Sequence, residues 1–270
     1  MSQYKITGIY IYPIKSLGGI SLQSAEVEDR GLQYDRRWML VDEQNKFITQ
    51  RLHPEMALLK VKIKNDLLTI KHIQNKLSPL TIPFAPYDEK EINAQIWNDY
   101  VTALKYGSDV NRWFTEAIGF NCSIVYMPDS TKRNVDPEYA NNKLVGFADG
   151  YPFLIIGEES LNDLNKRMAE PLPMNRFRTN FVFSGGKSFD EDNWKTIKIG
   201  DIVFHAVKPC ARCVITTINQ TTGIKGKEPL KSLAVFRQKD NKVIFGMNLV
   251  AEGTGKVGLG HEIEINNRNR

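Results

Sequence analysis

Two thiols stand three positions apart in Lys208-Pro209-Cys210-Ala211-Arg212-Cys213, the segment of this chain best suited to hold a soft metal or act as a nucleophile. Three readings are open to a C-x-x-C pair. Half of a zinc site needs a second pair of ligands, but no other C-x-x-C exists and His53, His72, His205 and His261 lack paired spacing. A thioredoxin-like dithiol wants its first cysteine at a helix N-terminus, whereas Val214-Ile215-Thr216-Thr217-Ile218 predicts a strand over 213–218. The plain alternative is two small apolar residues buried without function. Against it stand Lys208 and Arg212, because neighbouring cations favour the thiolate, the form that binds metals.

Three further segments suit an anion. Tyr12-Pro13-Ile14-Lys15-Ser16-Leu17-Gly18-Gly19 follows the first predicted strand and would offer an ammonium, a hydroxyl and exposed backbone N–H groups to an oxyanion. It lacks the spacing of a nucleotide P-loop, and a glycine turn with a solvated lysine explains it equally well. Asp35-Arg36-Arg37-Trp38 and Arg176-Phe177-Arg178-Thr179-Asn180 each lead into a predicted strand. Alternation along a strand lets one arginine of each pair face a pocket while its neighbour faces away. Guanidinium groups suit bidentate phosphate recognition, although salt bridging is their commoner use.

The elements that must position these residues are mostly strands. Period-two or β-branched apolar patterns over 4–12, 57–64, 67–72, 121–127, 181–184, 201–207 and 242–250 predict strands, together with 213–218. Helices are predicted at 109–118, 158–168 and 229–237. Residues 128–143 are polar, hold two prolines and follow neither period, so they form a long functional loop or a boundary, and the chain divides near residue 125. With 270 residues, 41% hydrophobic and 25% charged, the chain can bury a large core. No apolar run approaches the roughly 20 residues that cross a bilayer, and neither a secretory nor a transit signature is visible. Cys122, Cys210 and Cys213 cannot build a disulfide framework, so a cytoplasmic location is expected. The 36 basic and 31 acidic residues are spread along the chain, and no basic block is interleaved with aromatics. Neither a nucleic acid nor a membrane is therefore expected as a partner.

Together, YPIKSLGG, GLQYDRRWMLVD, FITQR, RNVDPEYA, FADGYPFLI, RFRTNFVFSGG, KPCARCVITT and FGMNLVAEGTGKVGLG resemble the MOSC family of molybdenum-cofactor proteins over nearly the whole chain. The resemblance implies a mainly β fold with a few helices (α+β), in which an N-terminal β-barrel-like region, 1–124, packs against a MOSC β-barrel domain, 125–270. It implies the molybdenum cofactor (Mo-molybdopterin), with Cys213 as the metal ligand and cofactor contacts from Lys15, Ser16, Arg36, Arg178, Asn180 and Asn248. Asp149, in FADGYP, matches an acidic position close to the metal, where it would orient a water or relay a proton. Cys210 is expected to be structural. The family branches resembled are reductases of N-hydroxylated bases and of amidoximes. The implied reaction is reduction of hydroxylaminopurines, amidoximes or hydroxylamines to amines. This chain has no C-x4-C-x2-C cluster motif, so electrons are expected from a separate flavin reductase, ferredoxin or flavodoxin. A carrier of the cofactor or of sulfur, without turnover, is the alternative. Gly150-Tyr151 departs from the Thr-Ser pair of the amidoxime-reducing branch, so hydroxyl contacts from those two side chains are not expected.

Overall fold

Bulky apolar residues recur at every second position in Phe153–Gly157, Phe181–Ser184, Trp194–Ile199, Ile202–Ala211 and Lys242–Glu252, the spacing that aims them at one face of a sheet. The computed structural model describes residues 4–88 and 90–268, and in it these strands close into a seven-stranded β-barrel. Around the barrel the order is Phe153–Gly157, Phe181–Ser184, Tyr4–Ile11, Glu262–Arg268, Trp194–Ile199, Ile202–Ala211 and Lys242–Glu252, which pairs back onto Phe153–Gly157. Only the first of these pairings is parallel.

Ile6, Phe153, Ile155, Phe181, Phe183, Ile197, Phe204 and Leu249 fill the interior. The rings of Phe153, Phe181 and Phe204 meet there, with centroids 5.3–5.9 Å apart. Phe153–Gly157 is buried on both faces, which explains its unbroken apolar run. Its outward Leu154 and Ile156 pack with Phe177 and Phe245 against Leu164 of helix α2, Glu158–Lys166, and Leu233 of helix α3, Leu230–Phe236.

The first half of the chain builds a four-stranded antiparallel sheet in the order Trp38–Val41, Ser123–Tyr126, Asp99–Lys105, Lys90–Ile96. Isolated bridges from Val41 to Phe47 and from Lys46 to Gln95 tie its edges, so it curls into a barrel-like shape around Met39, Val41, Ala94, Val101 and Val125. Its other face, with Trp38, Leu40 and Ile124, packs against helix α1, Ser108–Ile118, and the meander Leu59–Lys64, Leu67–His72, Leu80–Pro83. Among the described residues the fold is thus mostly β with three helices, as expected.

Three expectations need correction. No strand forms over 213–218; a 3-10 turn, Val214–Thr217, stands there. The hydroxyls of Thr216 and Thr217 donate to the carbonyls of Cys213 and Val214, at 2.9 and 2.8 Å, and these local bonds outcompete a ladder despite the β-branched run. The strand before it runs through Cys210 to Ala211, beyond the expected end at 207. Arg36 and Arg178 lie outside strands, each with positive φ, +49° and +55°, so turn conformation and not strand alternation aims them. Segment 128–143 forms neither helix nor strand, but a bridge between Asn134 and Leu144 closes it.

Candidate functional site

Lys15, Ser16 and Arg36 from the first half of the chain, and Asp149, Arg178, Asn180, Cys213 and Asn248 from the second, line one cavity of about 350 Å³. Every residue to which the family resemblance assigns a role is therefore at this place. Cys210, Lys208, Arg212, Tyr151 and Thr216 complete much of its wall.

The two arginines reach the cavity through Tyr12. Their guanidinium carbons lie 4.4 Å (Arg36) and 4.3 Å (Arg178) from the centre of its ring, a double cation–π contact. Gly19 makes room for that ring, since a Cβ there would fall 2.5 Å from it. Arg36 donates to Asp35 at 2.5 Å, to the side-chain oxygen of Asn180 at 3.2 Å and to the Arg178 carbonyl at 3.0 Å. Arg178 donates to the Leu17 carbonyl at 2.6 Å. Burial and the nearby Arg36 charge pull Arg178 down to about 10, so a bound anion would relieve repulsion between the two cations. Burial also pushes the Tyr12 phenol up to about 12, keeping it neutral.

Asn180 is occupied by the protein itself. Its amide donates to the Tyr10 carbonyl and Asp35, both at 3.1 Å, and its oxygen accepts from Leu154 N and Arg36. It locks Arg36 in place. Gly18 and Gly19 do not line the cavity, and Gly18 N donates to the Leu59 carbonyl at 2.9 Å. The expected cradle of glycine N–H groups is therefore not formed; these glycines permit close packing instead.

Lys15, 5% exposed, donates to the Phe147 carbonyl at 2.8 Å and to Asp149 at 2.5 Å. Burial lowers its ammonium to about 8, with Asp149 opposing that effect. Asp149 also accepts from Arg51 at 2.6 Å. Enclosure alone would raise the Asp149 carboxyl, but Lys15 and Arg51 outweigh it and hold it well below the usual carboxylate range. Arg133 supports the loop that carries Asp149, donating to the carbonyls of Gly146, Ala148 and Asp149 at 2.9, 2.6 and 3.3 Å.

Cys213 caps the 3-10 turn and stands partly exposed. Cys210, also partly exposed, accepts from Arg212 Nη1 at 2.9 Å. Asn248 donates to the Lys208 carbonyl at 3.0 Å, and the Lys208 ammonium lies 3.6 Å from the centre of the Tyr139 ring, inside segment 128–143. Among the described residues no group of three or more His, Cys, Asp and Glu side chains is arranged to hold a metal ion. A metal at Cys213 would have to arrive with most of its ligands attached.

Arg51, Arg133 and Tyr12 were not singled out by sequence reading. Arg51 lies within FITQR and Arg133 opens RNVDPEYA, yet neither has a spacing that reports its contacts, which cross 98 residues from Arg51 to Asp149.

Models of two families match the chain: the MOSC N-terminal beta barrel domain over residues 3–121 and the MOSC domain over 142–264. The chain belongs to the MOSC family. A molybdenum cofactor sulfurase of Arabidopsis thaliana is 33% identical, over 96% of this chain and 35% of that protein, so the chain spans about a third of the sulfurase. Mitochondrial amidoxime reducing component 2 of Rattus norvegicus is 32% identical, over 96% of this chain and 82% of that protein. Among solved structures, the YUAD protein from Bacillus subtilis aligns over 97% of this MOSC chain and 94% of its own, at 14% identity and a TM-score of 0.44. No described helix is long and apolar enough to cross a membrane.

Proposed function

We propose that this MOSC protein binds the molybdenum cofactor, with Cys213 as the metal ligand, and reduces N-hydroxylated compounds to amines. Support comes chiefly from one observation: a single cavity joins a thiol to cations drawn from both halves of the chain. Its donor set fits an anionic group that carries its own metal ligands. Lys15, Lys208, Arg36, Arg178 and Arg212 line it, and Asp149, the one lining carboxylate among the described residues, is already neutralised by Lys15 and Arg51. A thiolate is a soft ligand, suited to a metal held by sulfur.

Arg36 and Arg178 would hold the cofactor's phosphate and pterin edge by charge-assisted hydrogen bonds, with Lys15, Ser16 and Asn248 at its flanks. Asn180 acts through Arg36, since its own polar atoms are occupied. When bound, the cofactor supplies the two-electron chemistry by which an N–OH group becomes N–H with release of water. Asp149, ionised across the physiological range, would orient a water or relay one of the two protons required. Electrons would come from a separate donor protein, a flavin reductase, ferredoxin or flavodoxin.

The similarity to the sulfurase, with a second thiol in the cavity, favours one alternative: a carrier of the cofactor or of sulfur. The division of the chain near residue 125 belongs to the same proposal, supported by separate matches on either side of it. Protein loaded with molybdenum cofactor and supplied with dithionite-reduced methyl viologen should consume 6-hydroxylaminopurine. Metal-loaded protein without turnover, carrying a persulfide on Cys213, would favour the carrier.

A further inference from the structure

We propose that Gln50 is a positioning residue whose buried side-chain amide ties the Ser16 turn, part of the anion-binding wall, to the chain just beyond Cys213. The inference rests on the anion-binding part of the reading above and needs no metal.

Gln50 is fully buried and does not line the cavity, so it acts there only through other residues. Its Nε2 donates to the Ser16 carbonyl at 2.5 Å. Its Oε1 accepts from Gln220 Nε2 at 3.0 Å, a nitrogen that also donates to the Ile218 carbonyl at 3.1 Å. Ile218 caps the 3-10 turn that Cys213 opens, so a run of hydrogen bonds joins the Ser16 turn to the turn of the thiol. Lys60 braces the far end, its ammonium donating to the Gln220 and Ala57 carbonyls at 2.6 and 2.9 Å.

The Ser16 turn requires such a tie. Ser16 holds a φ of +67°, which a non-glycine residue keeps only where its surroundings enforce it. The next carbonyl, of Leu17, is the one that accepts from Arg178 at 2.6 Å. Release at Ser16 would therefore loosen Ser16, its neighbour Lys15 and the seat of Arg178 together. A buried amide is a poor source of stability, because an apolar side chain of similar shape packs as well without losing hydration of polar atoms. What the amide adds is direction, one donor and one acceptor aimed at two separate segments.

The test takes the full chain produced without pterin cofactor and titrates it calorimetrically with inorganic phosphate. Gln50→Met, similar in size but without a donor, should bind phosphate about tenfold more weakly than wild type at every pH. Gln50→Glu separates direction from bulk, since the neutral carboxyl donates to the Ser16 carbonyl as the amide does and the ionised form has only acceptors. Its affinity, relative to wild type at the same pH, should lie within about twofold at about pH 5 and weaken to about tenfold by about pH 8, with near-ultraviolet circular dichroism unchanged. Wild-type affinity in Gln50→Met, or a ratio for Gln50→Glu that does not move with pH, would overturn the proposal. A wild-type chain that binds no phosphate would instead refute the anion-binding reading, and this inference with it. Phosphate binding without uptake of molybdenum would refute the molybdenum reading alone.

Discussion

Tyr12, a side chain with no reactive role, decides how two of the site's cations are presented. Both guanidinium groups, of Arg36 and Arg178, lie against its ring, and Asn180 and Asp35 hold Arg36 by hydrogen bonds. Changing Arg178 to Met should weaken cofactor retention by about 1.5–3 kcal/mol, ten- to hundredfold, read as pterin remaining after dialysis. Lys15 makes this grip depend on pH. Its ammonium, lowered to about 8 by burial, is charged below that value and neutral above it. An anion binds the charged form, so affinity should be flat below pH 8 and fall above it. Lys15→Arg should stay flat to pH 9. A wild-type profile that rises through pH 8 would contradict this assignment.

At the scale of elements, turns and loops carry Lys15, Ser16, Arg36, Asp149 and Arg178, while strands supply Lys208, Cys210 and Asn248. Ser16, Arg36 and Arg178 all have positive φ, conformations that non-glycine residues adopt at a cost and that surrounding contacts must enforce. Gly146 shows how tight the setting is: a Cβ there would fall 2.8 Å from the Arg36 carbonyl oxygen. Gly146→Ala should therefore displace either the Arg36 turn or the loop leading to Asp149, costing about 1–3 kcal/mol in a urea unfolding titration. Cofactor content should fall with it.

This scale also marks what was legible in sequence. Strands such as Leu67–His72 and Phe181–Ser184 stood out because their apolar residues alternate or cluster without polar interruption. The hairpin Lys90–Ile96 and Asp99–Lys105 did not, because charged and amide side chains crowd its exposed positions and its turn is Trp97-Asn98 without glycine. The 3-10 turn after Cys213 was hidden by Val214 and Ile215, whose β preference said nothing of the hydroxyl bonds beside them. Cys213, Lys15 and the arginines were visible as residue types. Their convergence was not: Lys15 meets Asp149 across 134 residues, and only the resemblance to a family joined them.

For the whole molecule, the first strand matters most. Tyr4–Ile11 sits in the barrel between Phe181–Ser184 and Glu262–Arg268, so the start of the chain completes a barrel built otherwise from its second half. The same strand leads into Lys15 and Ser16, which line the cavity, and into Tyr12, which Arg36 and Arg178 lie against. A chain begun at residue 125 should thus fail to fold cooperatively, with no near-ultraviolet circular dichroism. A sharp thermal transition from that fragment would contradict the shared barrel. The most direct test of the central claim is the molybdenum and pterin content of protein produced with molybdate, compared between wild type and Cys213→Ser. The account predicts about one molybdenum per wild-type chain, and a loss of roughly tenfold or more in the variant, with Cys210→Ser near wild type. Equal molybdenum in wild type and Cys213→Ser, or none in either, would contradict it.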